Sequence, residues 1–216
     1  THQLQILLNH KNTTRIHKWL QDLINKGCVA REYDRMSIER NSKPAIFYLA
    51  PKSRHILSSE KHINLSDLEY IYKEHRRDKK FINHCIAIAD IYLFLLAQKD
   101  ASEEVKFFTK HELKSYEYFP NPLPDAFIAV VNRDTTRRYF LDMFDEYTPS
   151  FVARQRVRYY FEYIEKNDWD DNTNYTKFPA ILFVFEKESL LRHIKIYGKT
   201  QFDKTYENGL SLYVTT

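Results

Sequence analysis

The chain of 216 residues contains only three glycines, Gly27, Gly198 and Gly209. Loops that cradle phosphate groups with backbone N–H groups need several glycines within a short stretch. The three glycines are too widely spaced for this. Their spacing excludes a Walker phosphate loop and a dinucleotide-binding fingerprint.

Cysteine is also scarce, and long apolar runs are few. Cys28 and Cys85 are far apart in the sequence and match no metal-binding spacing, so we expect two buried thiols in a reducing compartment. The longest apolar run, residues 81–97, is interrupted by three polar residues and is predicted to be too short and too polar to span a membrane. Without a signal peptide pattern, the sequence predicts a cytoplasmic protein with no membrane partner.

What the chain has in abundance is aromatic residues and an uneven distribution of charge. Sixteen Tyr and fifteen Phe supply ample apolar area for folded domains. Residues 1–62 hold eleven Lys and Arg against five Asp and Glu, a balance of +6, whereas the remainder has a balance of −2. This asymmetry indicates that the N-terminal third contacts a polyanion.

The segment Asn12–Tyr33 predicts an amphipathic helix followed by a strand. Its apolar residues recur with helical spacing and predict one buried face: Ile16, Trp19, Leu20, Leu23 and Ile24. Asn12, Thr13 or Thr14 can cap the start of the helix, and Gly27 suits a left-handed residue just after its end. A shorter helical piece, residues 2–9, precedes it, and residues 28–33 read as a strand.

Helix, polar turn, amphipathic helix and strand form the pattern of a winged helix-turn-helix, which we assign to residues 1–60. The polar residues 34–44 and a returning strand at 45–49 would form its wing. The expected partner is double-stranded DNA; a winged helix that contacts only proteins, and a wing that is merely solvated, remain alternatives. The candidate DNA-binding residues are Thr13, Thr14, Arg15, His17, Lys18 and Gln21 on the helix, with Arg35, Arg40 and Lys43 in the wing.

Residues 61–216 predict a second domain of mixed α/β structure. Ser66 and Glu69 have capping-box spacing and predict a helix running toward Arg77, followed by a long, largely buried helix over residues 81–96. Strands are predicted at 105–110, 125–131, 138–144, 178–185 and 210–214, with 178–185 central and buried on both faces. Helices are predicted at 151–166 and 188–194. The order α, β, ββ, α, β, α, β describes an α/β (α+β) domain with a mixed sheet.

Five sequence stretches carry a resemblance to a known family. NHCIAIADIYLFLL, LPDAFIAV, RYFLDMFDE, and RVRYYFEYIEKNDW before FPAILFVFE resemble segments of the replication-relaxation family of plasmid and conjugative-element proteins. The resemblance implies a DNA-binding protein of plasmid replication or mobilisation. Other plasmid replication or mobilisation proteins would then be its partners, and homodimer formation is left open.

The same stretches are similar to the core of PD-(D/E)XK nucleases, that is, a restriction-endonuclease-like domain. That similarity implies that Asp125 and Asp142 bind a metal, with Arg156 as a further catalytic candidate. Hard divalent cations such as Mg²⁺ or Mn²⁺ take carboxylate oxygens as ligands and activate water for phosphodiester attack. The lysine expected two residues after Asp142 is replaced by Phe144, and an arginine such as Arg156 is a poor base.

The prediction is therefore a non-catalytic, nuclease-like body that needs no cofactor. Two alternatives remain: a metal-dependent endonuclease with an altered site, and a winged-helix transcriptional regulator with a ligand-binding domain. The row Arg154–Arg158 is interpreted as a solvated helix face in preference to a second DNA site with Arg137 and Arg138 nearby.

Overall fold

The computed structural model describes residues 1–32, 44–61, 63–166, 168–174, 177–203 and 209–216. The chain divides into two units, Thr1–Leu93 and Phe94–Thr216. The domain boundary predicted near residue 60 falls within the first unit and stays a prediction.

The first unit begins with two helices and a two-stranded sheet. These are α1 (His2–Leu7), α2 (Thr13–Asn25), β1 (Val29–Glu32) and β2 (Ile46–Leu49), and β1 pairs antiparallel with β2. Asn12 is the residue that caps α2: its side chain accepts hydrogen bonds from the backbone N–H groups of Thr14 and Arg15. Gly27 follows the helix with φ +72°, the left-handed conformation predicted for it.

The buried face of α2 is narrower than predicted. Ile16 and Leu20 are buried, but Trp19 and Leu23 are 45% and 38% exposed. Trp19 instead meets the edge of the His10 ring, with the ring centroids 5.2 Å apart. The helical period identified a stripe of apolar residues, but only two of them lie within the core.

The remainder of the first unit departs further from the sequence-based expectations. A short helix, α3 (Ser53–Leu57), is followed by two 3₁₀ segments, Leu65–Leu68 and Ile71–Arg76. The predicted Ser66 cap is wrong, because the side chain of Asn64 accepts the backbone N–H of Ser66. Two short 3₁₀ segments replace the single helix expected there.

Helix α4 (Lys79–Gln98) forms where a long helix was predicted, and the division between the units falls within it. Its predicted burial is wrong, because Leu93 is its one buried residue among those described. Phe81 and Phe94 are 42% and 63% exposed. An apolar sequence shows that a helix can be buried at little cost, but it does not show whether neighbouring elements pack against that helix.

The second unit is built on a five-stranded mixed sheet. Its strands are β3 (Glu104–Thr109), β4 (Ala126–Val131), β5 (Thr136–Phe144), β6 (Ala180–Phe185) and β7 (Leu212–Thr215). They lie in sequence order; β3, β4 and β5 are antiparallel, and β5, β6 and β7 are parallel. The helices are α5 (Lys110–Leu113), α6 (Ser150–Glu165), α7 (Asp168–Asn172) and α8 (Glu188–Phe202). The predicted α+β class with a mixed sheet is confirmed.

The 178–185 strand lies in the interior of the sheet with a neighbour on each side, but its predicted burial on both faces is wrong. β6 lies between β5 and β7, and β5 is the central strand. Burial alternates along β6, with Ile181, Phe183 and Phe185 fully buried and the intervening residues partly exposed. A continuous apolar run thus has one fully covered face, whose residues pack with Phe140, Tyr160 and Trp169 in an aromatic core.

Candidate nucleic-acid surface and buried carboxylate cluster

The exposed side of α2 carries the helix residues predicted to bind DNA. Thr13, Thr14, Arg15, His17, Lys18 and Gln21 are all exposed. They remain so because Ile16 and Leu20 turn the opposite side of the helix into the core. Arg35, Arg40 and Lys43 of the predicted wing lie outside the described residues.

A groove runs beside α2 and the β1–β2 sheet. Its volume is about 310 Å³, and its lining comprises Thr14, His17, Lys18, Leu20, Gln21, Ile24, Arg31 and Phe47. Four of the six predicted helix residues thus line one concave surface, whereas Thr13 and Arg15 are exposed outside that lining. Arg31 was missed by the sequence reasoning. One signal in the sequence could have identified Arg31: it is the first cationic residue after Gly27 and lies in the strand that directly follows α2.

Asp142 lies in β5 of the second unit, and Asp125 comes directly before the adjacent strand β4. Ala126 pairs with Leu141 in the antiparallel register, so the next position brings Asp125 opposite Asp142. Alternation along β5 places Asp142 on the same face as Phe140 and Phe144, which are buried in the aromatic core. Asp142 therefore points away from the face of Leu141 and Met143, into a buried layer and not toward solvent.

Asp142 is held by two side chains of α6. Arg156 Nε donates to Asp142 Oδ2 at 2.9 Å, and the Tyr160 hydroxyl donates to the same oxygen at 2.7 Å. Arg156 also donates to the Tyr160 hydroxyl at 3.0 Å and to the carbonyl oxygen of Pro122. Asp142 and Arg156 are only 6% and 7% exposed. The helix therefore turns Arg156 inward, and its guanidinium joins β5 and α6 to the segment 120–124, which contains three prolines.

Burial dominates the electrostatics of this cluster. It raises the pKa of the Asp142 carboxyl, and the Arg156 guanidinium offsets this increase only in part. Burial lowers the pKa of Arg156, but the Asp142 carboxylate reverses this and the net pKa is raised, so Arg156 stays charged. Burial also raises the pKa of Tyr160 well above 10, which keeps its hydroxyl protonated as a donor.

Asp125 has its own partners. Its Oδ2 accepts the backbone N–H of Met143 at 3.0 Å, and its Oδ1 lies 3.7 Å from Lys110 Nζ. The neighbouring charge of Asp125 also contributes to the raised pKa of Asp142, consistent with the closeness of the two carboxylates. The sequence predicted both aspartates as a pair but did not predict Lys110 or Tyr160 beside them.

A comparison with known families agrees with the resemblance seen in the sequence. The family profile described as Replication-relaxation matches residues 1–180. The chain belongs to the replication-relaxation family. No curated protein and no solved structure matches it. Membership suggests a role in the replication or mobilisation of plasmids or other mobile elements.

The carboxylate cluster of this replication-relaxation protein already uses part of its hydrogen-bonding capacity within the fold. One oxygen of Asp142 already accepts from Arg156 and Tyr160, and one oxygen of Asp125 accepts from the Met143 backbone. A cation bound between the carboxylates would also face the positive charge of Arg156 directly. Across the described ranges, no group of three or more His, Cys, Asp or Glu side chains could hold a metal ion.

Phe144, the residue at which the nuclease comparison expects a lysine, also has apolar surroundings. Phe144 is 5% exposed and stacks on Phe185 with ring centroids 4.8 Å apart. Phe183 meets its edge at 4.9 Å. An aromatic ring packed in this way can neither activate water nor stabilise a developing negative charge.

Two expectations about the cysteines and the apolar run need correction. Cys28 is buried as expected, but Cys85 is exposed. α4 is long and apolar enough to cross a membrane by length and composition, contrary to the prediction from its sequence. A single helix of this kind is weak evidence, because helices of soluble proteins meet the same criteria. It does not show that this is a membrane protein.

Proposed function

We propose that this replication-relaxation protein binds double-stranded DNA through the groove beside α2 and does not cut it. The observation that carries the proposal is the lining of that groove, in which His17, Lys18, Gln21 and Arg31 surround one concave surface. Lys18 and Arg31 supply charge for phosphates, and Gln21 supplies an amide that can read base edges. Recognition of a DNA sequence and recognition of a DNA structure both fit this lining.

The proposal that the second unit is non-catalytic is supported by the cluster around Asp142. Its strand order, an antiparallel trio joined through α6 to a parallel strand, is compatible with the nuclease comparison. The Arg156 guanidinium nevertheless pairs with Asp142, and the position two residues after Asp142, where the nuclease comparison expects a lysine, is the buried Phe144. We infer that the unit retains a framework of this kind with an ion pair in place of the metal site.

Titration of a fluorescently labelled duplex with the full chain tests the binding surface. Replacing both Lys18 and Arg31 by Ala should weaken binding and reduce the slope of log K against log salt by about 1.8, since each phosphate contact contributes about 0.9. Gln21→Ala should change discrimination between duplex sequences while leaving the slope unchanged.

Lys26→Ala is the matched control, because Lys26 is an exposed cation at the end of the same helix. Its Nζ lies 2.7 Å from Asp22 Oδ2, and it does not line the groove. Its loss should leave the slope nearly unchanged. Equal effects of Lys26→Ala and of the groove substitutions would contradict the assignment, and so would wild-type protein that fails to bind any duplex.

A further inference from the structure

A second concave surface lies in the second unit, where three parallel strands begin. Its volume is about 170 Å³, and residues at the starts of β5, β6 and β7 form its wall. The charged and aromatic members of the lining are Arg137, Arg138, Tyr139, Lys177 and Tyr213. We call this surface the strand-end pocket.

The strand-end pocket has a strong excess of positive charge. Two arginines and a lysine line it, and its lining includes no Asp or Glu among the described residues. Arg137 Nη2 contacts Glu103 Oε1 at 2.6 Å, yet the Arg137 side chain is 56% exposed. A guanidinium has five N–H donors, so one carboxylate contact leaves others for a phosphate.

Aromatic rings lie beside these cations. Alternation along the strands and the pairing of Leu182 with Tyr213 place Arg137, Tyr139 and Tyr213 on the same face of the sheet. Tyr213 is 55% exposed on the edge strand β7, so its ring is accessible to a ligand. Cations that follow a phosphate backbone and exposed rings that stack on bases are the two elements of single-strand recognition.

We propose that the strand-end pocket binds single-stranded nucleic acid, with a phosphate on Arg137 and Lys177 and a base stacked on Tyr213. A base inside a duplex is already stacked on its neighbours and cannot offer its face to a tyrosine. The pocket is also smaller than the roughly 300 Å³ at which cavities begin to enclose a small-molecule ligand. A strand passing over the pocket fits it better than an enclosed mononucleotide. The proposal does not depend on duplex binding by α2.

Fluorescence anisotropy with the full chain and a labelled oligothymidylate tests the proposal. Measurements start from a Lys18→Ala and Arg31→Ala background, which removes the contribution of the α2 groove. Tyr213→Ala should weaken binding about tenfold, because stacking on one aromatic ring contributes on the order of 1–3 kcal/mol. Tyr213→Phe keeps the ring and should bind as tightly as the background protein.

Charge substitutions provide an independent measurement if Tyr213→Ala fails to fold. Replacing Arg137 and Lys177 by Gln should reduce the salt slope by about 1.4, since each phosphate contact of a single strand contributes about 0.7. The matched control replaces Arg158 and Arg192 by Gln. It removes the same charge from the exposed surfaces of α6 and α8 and should leave the slope unchanged.

Three results would overturn the proposal. The first is a background protein that does not bind oligothymidylate. The second is equal weakening by the control and the pocket substitutions, which would reflect net charge alone. The third is displacement of the oligonucleotide by thymidine monophosphate at comparable concentration, which would indicate a mononucleotide site. Duplex binding should be unaffected when the pocket substitutions are made in otherwise wild-type protein, so this outcome is separable from failure of the α2 groove.

Discussion

Arg156 Nε donates to Asp142 Oδ2 across 2.9 Å in a region where both side chains are more than nine-tenths buried. The pair joins the middle of α6 to the central strand. Removing one member of a buried ion pair leaves an uncompensated charge, whereas replacing both by apolar residues of similar volume is often neutral or stabilising. Loss of either partner alone should therefore destabilise the fold strongly, even though a pair of apolar residues at the same two positions could be equally stable or more stable.

Arg156→Ala should lower the free energy of unfolding by about 3–5 kcal/mol, because it leaves the Asp142 carboxyl buried beside Asp125. The double replacement Asp142→Leu with Arg156→Met should recover most of that loss. Urea unfolding measures both. Arg192→Ala breaks the exposed contact with Glu188 at 3.4 Å and should change the free energy by less than about 1 kcal/mol. A loss of similar size at both arginines would contradict the assigned role of burial.

The stability of the wild type relative to Asp142→Asn should fall as pH rises. Burial raises the pKa of Asp142 above its ordinary value of 3.8, so the unfolded chain releases this proton at a lower pH than the folded chain. The stabilisation that protonated Asp142 gives the folded protein is complete below pH 3.8 and is lost as pH rises through the folded-state pKa. Urea unfolding of both proteins from below pH 3.8 to neutral pH measures the difference between their free energies of unfolding. A difference that grows with pH would mean that Arg156 outweighs burial and depresses the pKa.

Asn12→Ala should destabilise the first unit by about 1 kcal/mol. The Asn12 side chain accepts from Thr14 N at 2.9 Å and Arg15 N at 3.3 Å, and alanine leaves these donors without a side-chain partner. Asn12→Asp keeps an acceptor at the start of the helix and should retain most of the stability. Thermal unfolding compares the three proteins. An equal loss in the Asp and Ala variants would show that the acceptor oxygen is not what matters.

Gly27→Ala should cost about 1–2 kcal/mol, because φ at this position is +72° and a side chain is strained there. Steric crowding is not the reason, since the nearest atom to an added Cβ is Lys52 Cδ at an ordinary 3.6 Å. Gly27→Asn should cost less, since asparagine tolerates the left-handed region better. Chemical denaturation measures the series; no difference between Ala and Asn would point away from backbone strain.

The full chain should bind supercoiled plasmid without nicking or linearising it in Mg²⁺ or Mn²⁺. Phosphodiester hydrolysis needs a metal or an equivalent group to activate water and stabilise charge. Arg156 is already paired with Asp142, and Phe144 is a buried ring that supplies neither function. Agarose electrophoresis after prolonged incubation with excess protein measures the products. Cleavage that disappears in Asp142→Ala would refute the non-catalytic interpretation; cleavage that persists in it would indicate a contaminating nuclease.

Local features of the fold were the most predictable from the sequence. The cap at Asn12, the left-handed Gly27 and the β4–β5 hairpin all depend on residues close together in the chain. Even here, competing local signals misled: Ser66 and Glu69 have capping-box spacing, yet a capping box forms instead at Thr109 and Glu112. Spacing identifies residues able to cap a helix, but the chain must begin a helix at that point for the cap to form.

The candidate site shows the same division between local and tertiary information. The similarity to nucleases implied Asp125 and Asp142 as a pair, and helical period left Lys18 and Gln21 on the exposed side of α2. No sequence period brings Arg156 and Tyr160 onto Asp142, because that contact depends on how α6 packs against β5. Likewise, Tyr213 shares a sheet face with Arg137 through strand pairings between residues far apart in the sequence. The sequence alone determined which groups were available, and tertiary packing decided which of them were buried together, because burial and long-range pairing depend on neighbours that no local pattern specifies.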